Sequence, residues 1–145
     1  MARYDSSDLT FDVPREWQDK TIVAFAAPTG PLDKAAANVV MTREEAGPHV
    51  KIGEYADRHL GELAKKLDAF ELLERKEGNL GGVPSIELKF QWKGGGGAVE
   101  QRLAFLRGKR RIYSFTTTSP LARAAELSST FDRVLSSIRV AESDR

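Results

Sequence analysis

The chain contains no cysteine among its 145 residues. Disulfide scaffolds, thiolate metal sites and cysteine nucleophiles are thereby excluded. Histidine is nearly as scarce, with only His49 and His59. A zinc site would need several carboxylates gathered around them by the fold, so no metal is expected. An excess of charge of one sign is also missing. Lys and Arg total 22 against 21 Asp and Glu, so no bulk field draws the chain to nucleic acid or an anionic membrane. No stretch approaches the roughly 20 apolar residues of a spanning helix. The start, Met1-Ala2-Arg3-Tyr4-Asp5, carries an early acid and no apolar run of signal-peptide length. The expectation is a soluble, cytoplasmic protein with no direct membrane insertion. No segment recurs at a period of 20–50 residues, which excludes solenoids and propellers.

What is present describes one globular domain spanning residues 1–145, with 41% hydrophobic and 30% charged residues. Leu9–Val13 alternates and is closed by Pro14, a strand signature. Thr21–Ala27 and Asn38–Thr42 read as strands that are apolar on both faces, since Ile22, Ala24 and Ala26 match Val23 and Phe25. A Pro/Gly-rich loop joins them through Pro28, Gly30 and Pro31. From Lys51 to Leu67 the period changes to 3.6, with Ile52, Tyr55, Ala56, His59, Leu60, Leu63 and Leu67 on one stripe. Strand patterning returns at Phe70–Lys76, ending at Gly78-Asn79. It continues from Pro84 with Ile86, Leu88, Phe90 and Trp92 on one face, then in Ala98–Arg107 and Ile112–Thr117. A second helix lies within Ser119–Val140, started by either Ser119-Pro120 or Ser128. The order β-β-β-α-β-β-β-β-α predicts an α+β fold, an antiparallel sheet of six to seven strands with two main helices packed on it.

Catalytic chemistry finds little support. His59 sits at the edge of the helical stripe and reads as structural, and His49 beside Pro48 has no motif around it. No Gly-x-Ser-x-Gly elbow occurs. Gly94–Gly97 is followed by a strand rather than a helix, so it reads as a hairpin tip and not a phosphate cradle. Arg107, Lys109, Arg110 and Arg111 read as a solvated guard on a sheet edge. Nothing fixes the separation of Glu44, Glu45 and Glu54 that paired-acid chemistry would require. No catalytic residue and no cofactor is expected; the chain reads as a non-enzyme.

The sheet surface remains. In one reading the protein's own helices cover both faces. In the other, one face stays open as a groove, with Ile22, Ala24, Val40 and Leu103 supplying apolar contact and Asn38, Thr42 and Gln101 as polar anchors. A one-residue error in register would exchange inner and outer sets, and the residues leave both readings open.

Several strings together carry a family resemblance. They are Leu9-Thr10-Phe11-Asp12-Val13-Pro14, Trp17-Gln18-Asp19-Lys20-Thr21, Phe25 with Pro28, and Asn38-Val39-Val40-Met41-Thr42-Arg43-Glu44. Tyr55, Gly82 with Pro84, Trp92, Gln101 and Tyr113–Thr118 follow in order. From about Leu9 to Ile138 the chain resembles the DcrB-related family, whose fold is PsbP-like. Within it the chain looks most like Eag-type chaperones of type VI secretion effectors. That resemblance implies a homodimer that clasps the hydrophobic N-terminal transmembrane helices of an effector before export. Ala24 and Ala26 stand where the family often has larger aliphatic residues, and the Arg107–Arg111 cluster and Gly94–Gly97 tip are departures. An adaptor for a soluble partner, using the same surface without catalysis, is the competing expectation.

Overall fold

The computed structural model describes residues 2–6, 8–28 and 37–145; most of the expected Pro/Gly loop, including Gly30 and Pro31, lies outside these. Among the described residues eight strands and two α-helices are formed: β1 (Ala2–Asp5), β2 (Thr10–Val13), β3 (Ile22–Ala26), β4 (Asn38–Glu45), α1 (Ile52–Lys66), β5 (Glu71–Leu80), β6 (Val83–Gly94), β7 (Gly97–Arg107), β8 (Arg111–Pro120) and α2 (Ala124–Ser136). Six strands make one antiparallel sheet in the order β3-β4-β8-β7-β6-β5. The expected α+β architecture is present, with one difference. The first expected strand leaves the main sheet and pairs instead with β1, a four-residue strand that was not expected.

The sheet is a meander from β5 to β8, because each connection is short. Gly95-Gly96 turns β6 into β7, and Gly97 takes φ 117°, a conformation that favours glycine. Gly78-Asn79 does not end β5 as expected. The strand runs on to Leu80, and Gly81-Gly82, at φ 63° and 89°, make the turn. β8 then crosses to pair with β4, and β3 is added outside it as an edge.

The two helices lie on opposite faces. On one, α1 sets Tyr55 and Ala56 against Ile86, Leu88, Phe90, Leu103 and Phe105. On the other, Leu135 of α2 packs with Val83, Ala104, Leu106 and Val140. The second helix begins at Ala124, after the expected Ser119-Pro120 start and before the expected Ser128 one, so neither cap is used. Ser119 is a buried strand residue of β8, Leu121–Arg123 form a 3₁₀ turn, and Arg123 occupies the cap position without a side-chain bond. Arg102 ties α2 to the sheet through Asp132 and the Ser128 hydroxyl at 2.8 Å.

The basic cluster divides. Lys109 and Arg110 are exposed, but Arg107 is not the solvated guard expected. Its guanidinium donates to the carbonyls of Gly47 at 2.5 Å and Val50 at 3.1 Å, fastening the loop between β4 and α1. Beside it the C-terminal turn inserts Asp144, only 3% exposed. Its carboxylate accepts from the Arg110 amide at 2.7 Å and the Tyr113 hydroxyl at 2.6 Å. Burial works to raise the Asp144 pKa, but these bonds and the charges of Arg110 and Arg111 outweigh it and hold the group low.

Candidate functional site: an open strip beside the first helix

Side chains of directly paired residues share a face of an antiparallel sheet. Register therefore decides where the candidate residues point. Ile22 lies opposite Thr42, Ala24 opposite Val40, and Ala26 opposite Asn38. Across the next seam, Thr42 faces Ser114, Val40 faces Thr116 and Asn38 faces Thr118. Then Thr118 faces Gln101 and Thr116 faces Leu103. All seven candidates, Ile22, Ala24, Asn38, Val40, Thr42, Gln101 and Leu103, thus share one face. Leu103 also belongs to the α1-side core, which identifies that face.

The helix α1 packs chiefly on β6 and β7. Among the described residues no helix covers the same face of β3 and β4. Ile22 is 67% exposed and Ala24 is open, while Asn38, Val40 and Thr42 are half-buried. Leu103, at 7%, is floor rather than contact surface. Gln101 is held within the protein. Its oxygen accepts from the Trp92 indole at 2.7 Å, and its amide donates to Thr118 Oγ1 at 2.9 Å. Both partners are side chains of neighbouring strands.

A row of hydroxyls that the sequence reading passed over completes the surface: Ser114, Thr116 and Thr118 on β8. Their signal was an even-numbered alternation, which reads equally well as an ordinary solvated face. The strip is therefore mixed, with apolar Ile22, Ala24 and Val40 beside hydroxyls and amides.

Where the strip meets α1 there is a cavity of about 400 Å³, lined by residues including Ile22, Thr42, Glu44, Tyr55, His59 and Ser114. The Tyr55 hydroxyl donates to Glu44 Oε1. Burial first, then that bond and the Glu44 charge, push the Tyr55 pKa up to about 12. His59 stacks on Tyr55 and Phe105, with ring centres 4.5 and 5.3 Å away. That packing matches the structural role expected for it. Beyond Ile22 and Glu44 a second, larger cavity of about 880 Å³ opens beneath the β1–β2 hairpin, with Phe11 and Trp17 in its wall. Neither cavity brings a nucleophile, a base and an orienting group into line. Among the described residues no cluster of His, Asp and Glu is placed to hold a metal ion.

The architecture is PsbP-like. Cyanobacterial PsbP from Synechocystis sp. PCC 6803 superposes with a TM-score of 0.59 at 14% identity, over 97% of this chain and 92% of that one. LpqN of Mycobacterium tuberculosis, involved in cell envelope biogenesis, gives 0.57 at 15% identity, over 81% and 82%. A Pseudomonas aeruginosa protein of unknown function, PA94, gives 0.82 at 23% identity, over 97% of both chains. Within this fold the DcrB family model matches residues 8–137, and the chain belongs to the DcrB family. It is also 28% identical over 122 residues to a Pseudomonas aeruginosa protein named effector EagT6, covering 83% of each.

Proposed function

We propose that this chain is a non-catalytic chaperone or adaptor for a type VI secretion effector, and that the strip on β3, β4 and β8 receives a hydrophobic helix from the effector's N-terminal region. The likeness to EagT6 supports the effector connection. The observation that carries the binding mode is the bare strip itself. Strand β4 has eight residues; at about 3.3 Å each they span about 26 Å, which a helix covers in about 17 residues. Three strands about 4.8 Å apart give a width near 10 Å, one helix diameter. Ile22 and Val40 would meet apolar side chains of the client, each worth about 1.5–3 kcal/mol when buried. Asn38, Thr42 and the β8 hydroxyls would face its small or polar residues.

The chaperone would act in the cytoplasm before export, as a homodimer. Two features support the dimer. Phe25, 74% exposed, and Val23 stand on the opposite face of β3, and among the described residues the β1–β2 hairpin pairs with no other strand. An isolated hairpin is marginal in water.

The test is co-expression with a soluble carrier bearing an apolar helix of about 20 residues. Ile22→Glu and Val40→Glu should remain folded and lose the carrier. If both variants retain it, the strip is not the site. The competing reading, an adaptor for a soluble partner, draws on the polar half of the strip. Capture of a folded polar partner, with no hold on the apolar helix, would favour it.

A further inference from the structure

Resting on that reading of the strip, we propose that Glu44 sets the direction in which the bound helix lies, by taking up the positively polarised donors of its N-terminal end. Glu44 is the one carboxylate lining the cavity between α1 and the strip. It is half-buried on the strip's own face, two residues beyond Thr42 and opposite Ile112. Among the described residues its side chain accepts one hydrogen bond, from Tyr55, and joins no ion pair. A carboxylate offers about four acceptor positions, so most of its capacity has no partner among the described residues.

Two of the nearby cations are otherwise placed, and among the described residues no cation pairs with Glu44. Arg43 is held by both an Nε and an Nη bond to Asp19, at 3.1 and 2.8 Å. Arg58 lies over the Tyr55 ring at 5.4 Å. Lys20 and His59 line the same cavity, and Arg111 pairs in register with Glu45. A helix laid along β4 would strip water from Glu44, and burying an unpaired charge is costly.

The occupant's two ends are not equivalent in this respect. An α-helix presents free N–H groups and partial positive charge at its N-terminus, and free carbonyls at its C-terminus. With the N-terminal end at Glu44, the carboxylate gains donors as it loses water. In the reverse orientation it meets carbonyl oxygens. A lysine in the first turn of the segment would supply the same chemistry through its ammonium group. Either source leaves the N-terminal end of the segment at the junction with the hairpin cavity.

The experiment uses a 20-residue Leu/Ala helix fused to a soluble carrier, with no lysine, one lysine at its N-terminal end, or one at its C-terminal end. Affinities are measured for the full chain, for Glu44→Gln, and for Tyr55→Phe, which keeps the charge and removes its internal partner. If the ammonium is the donor, the intact chain and Tyr55→Phe should bind the N-terminal-lysine form at least about tenfold more tightly than the C-terminal one, the scale of one charged hydrogen bond. Glu44→Gln should close that gap. A gain over the lysine-free helix assigns the donor to ammonium. Equal binding of those two, weakened alike by Glu44→Gln, assigns it to the backbone N–H groups. Unchanged affinities in Glu44→Gln, or tighter binding of the C-terminal-lysine form, would overturn the inference. Failure of the intact chain to bind any of the three would overturn the strip reading, and this inference with it.

Discussion

The two halves of the main sheet are built from similar residues and differ in what covers them. In β6 and β7, Ile86, Leu88, Phe90 and Phe105 are each no more than 2% exposed beneath α1. In β3, Ile22 and Phe25 point to opposite faces and both stand open. The first half is a core in the ordinary sense, apolar area removed from water within one chain. The second has the composition of a core and the exposure of a surface. An edge strand with both faces and one backbone edge open is a liability unless it is used. The contrast teaches that the covered half sustains the fold, while the bare half is free to serve a partner.

The sharpest way to break the comparison is to hollow the covered half. Phe90 packs against Phe70 with ring centres 5.3 Å apart and sits in the α1-side cluster. Phe90→Ala should cost about 3–5 kcal/mol, read as a fall in the denaturant midpoint. A loss below about 1 kcal/mol would mean that this half is not the core.

Next in size is the C-terminal turn, which holds the covered half from the other face. Asp144→Ala would strand the Tyr113 hydroxyl and the Arg110 amide, and should cost about 2 kcal/mol. The same group predicts a pH dependence. The folded chain holds this carboxyl below its ordinary value of 3.8, so it binds the proton less readily than the unfolded chain. Its contribution is therefore complete above that value and declines as pH falls through and below it. Between about pH 5 and pH 2, Asp144→Asn should lose less stability than the parent chain in urea titrations; parallel curves would show that Asp144 is not the group responsible.

How much of this was legible depended on whether a residue's partner was near in sequence. The β6 alternation of Ile86, Leu88, Phe90 and Trp92 and the stripe of α1 were readable because period and face are local properties. The seven candidate residues could be named as strand positions, yet their common face depended on β8 crossing to β4, a long-range pairing no local pattern encodes. The loss of β2 to a separate hairpin was illegible too, since alternation in Leu9–Val13 marks a strand without saying which partner it takes. Arg107 looked like its exposed neighbours because its partners, Gly47 and Val50, lie about sixty residues away. Residue types alone could not show that β3 is open on both faces. An apolar strand has the same sequence whether its cover comes from its own chain or from another.

The smallest expected effect is the one that best sharpens the comparison. Ile22→Ser and Phe25→Ser remove large side chains that are already in water, so the isolated fold should change by no more than about 0.5 kcal/mol. Either could raise stability slightly by reducing exposed apolar surface. The two should then part company in function. Ile22→Ser, on the α1 side, should weaken capture of an apolar helix while leaving the mass in solution unchanged. Phe25→Ser, on the far side, should lower the mass measured by light scattering while sparing helix capture at matched protomer concentration. If instead either substitution costs as much stability as Phe90→Ala, β3 is packed within a single chain, and the division of the sheet into a supporting half and a binding half does not hold.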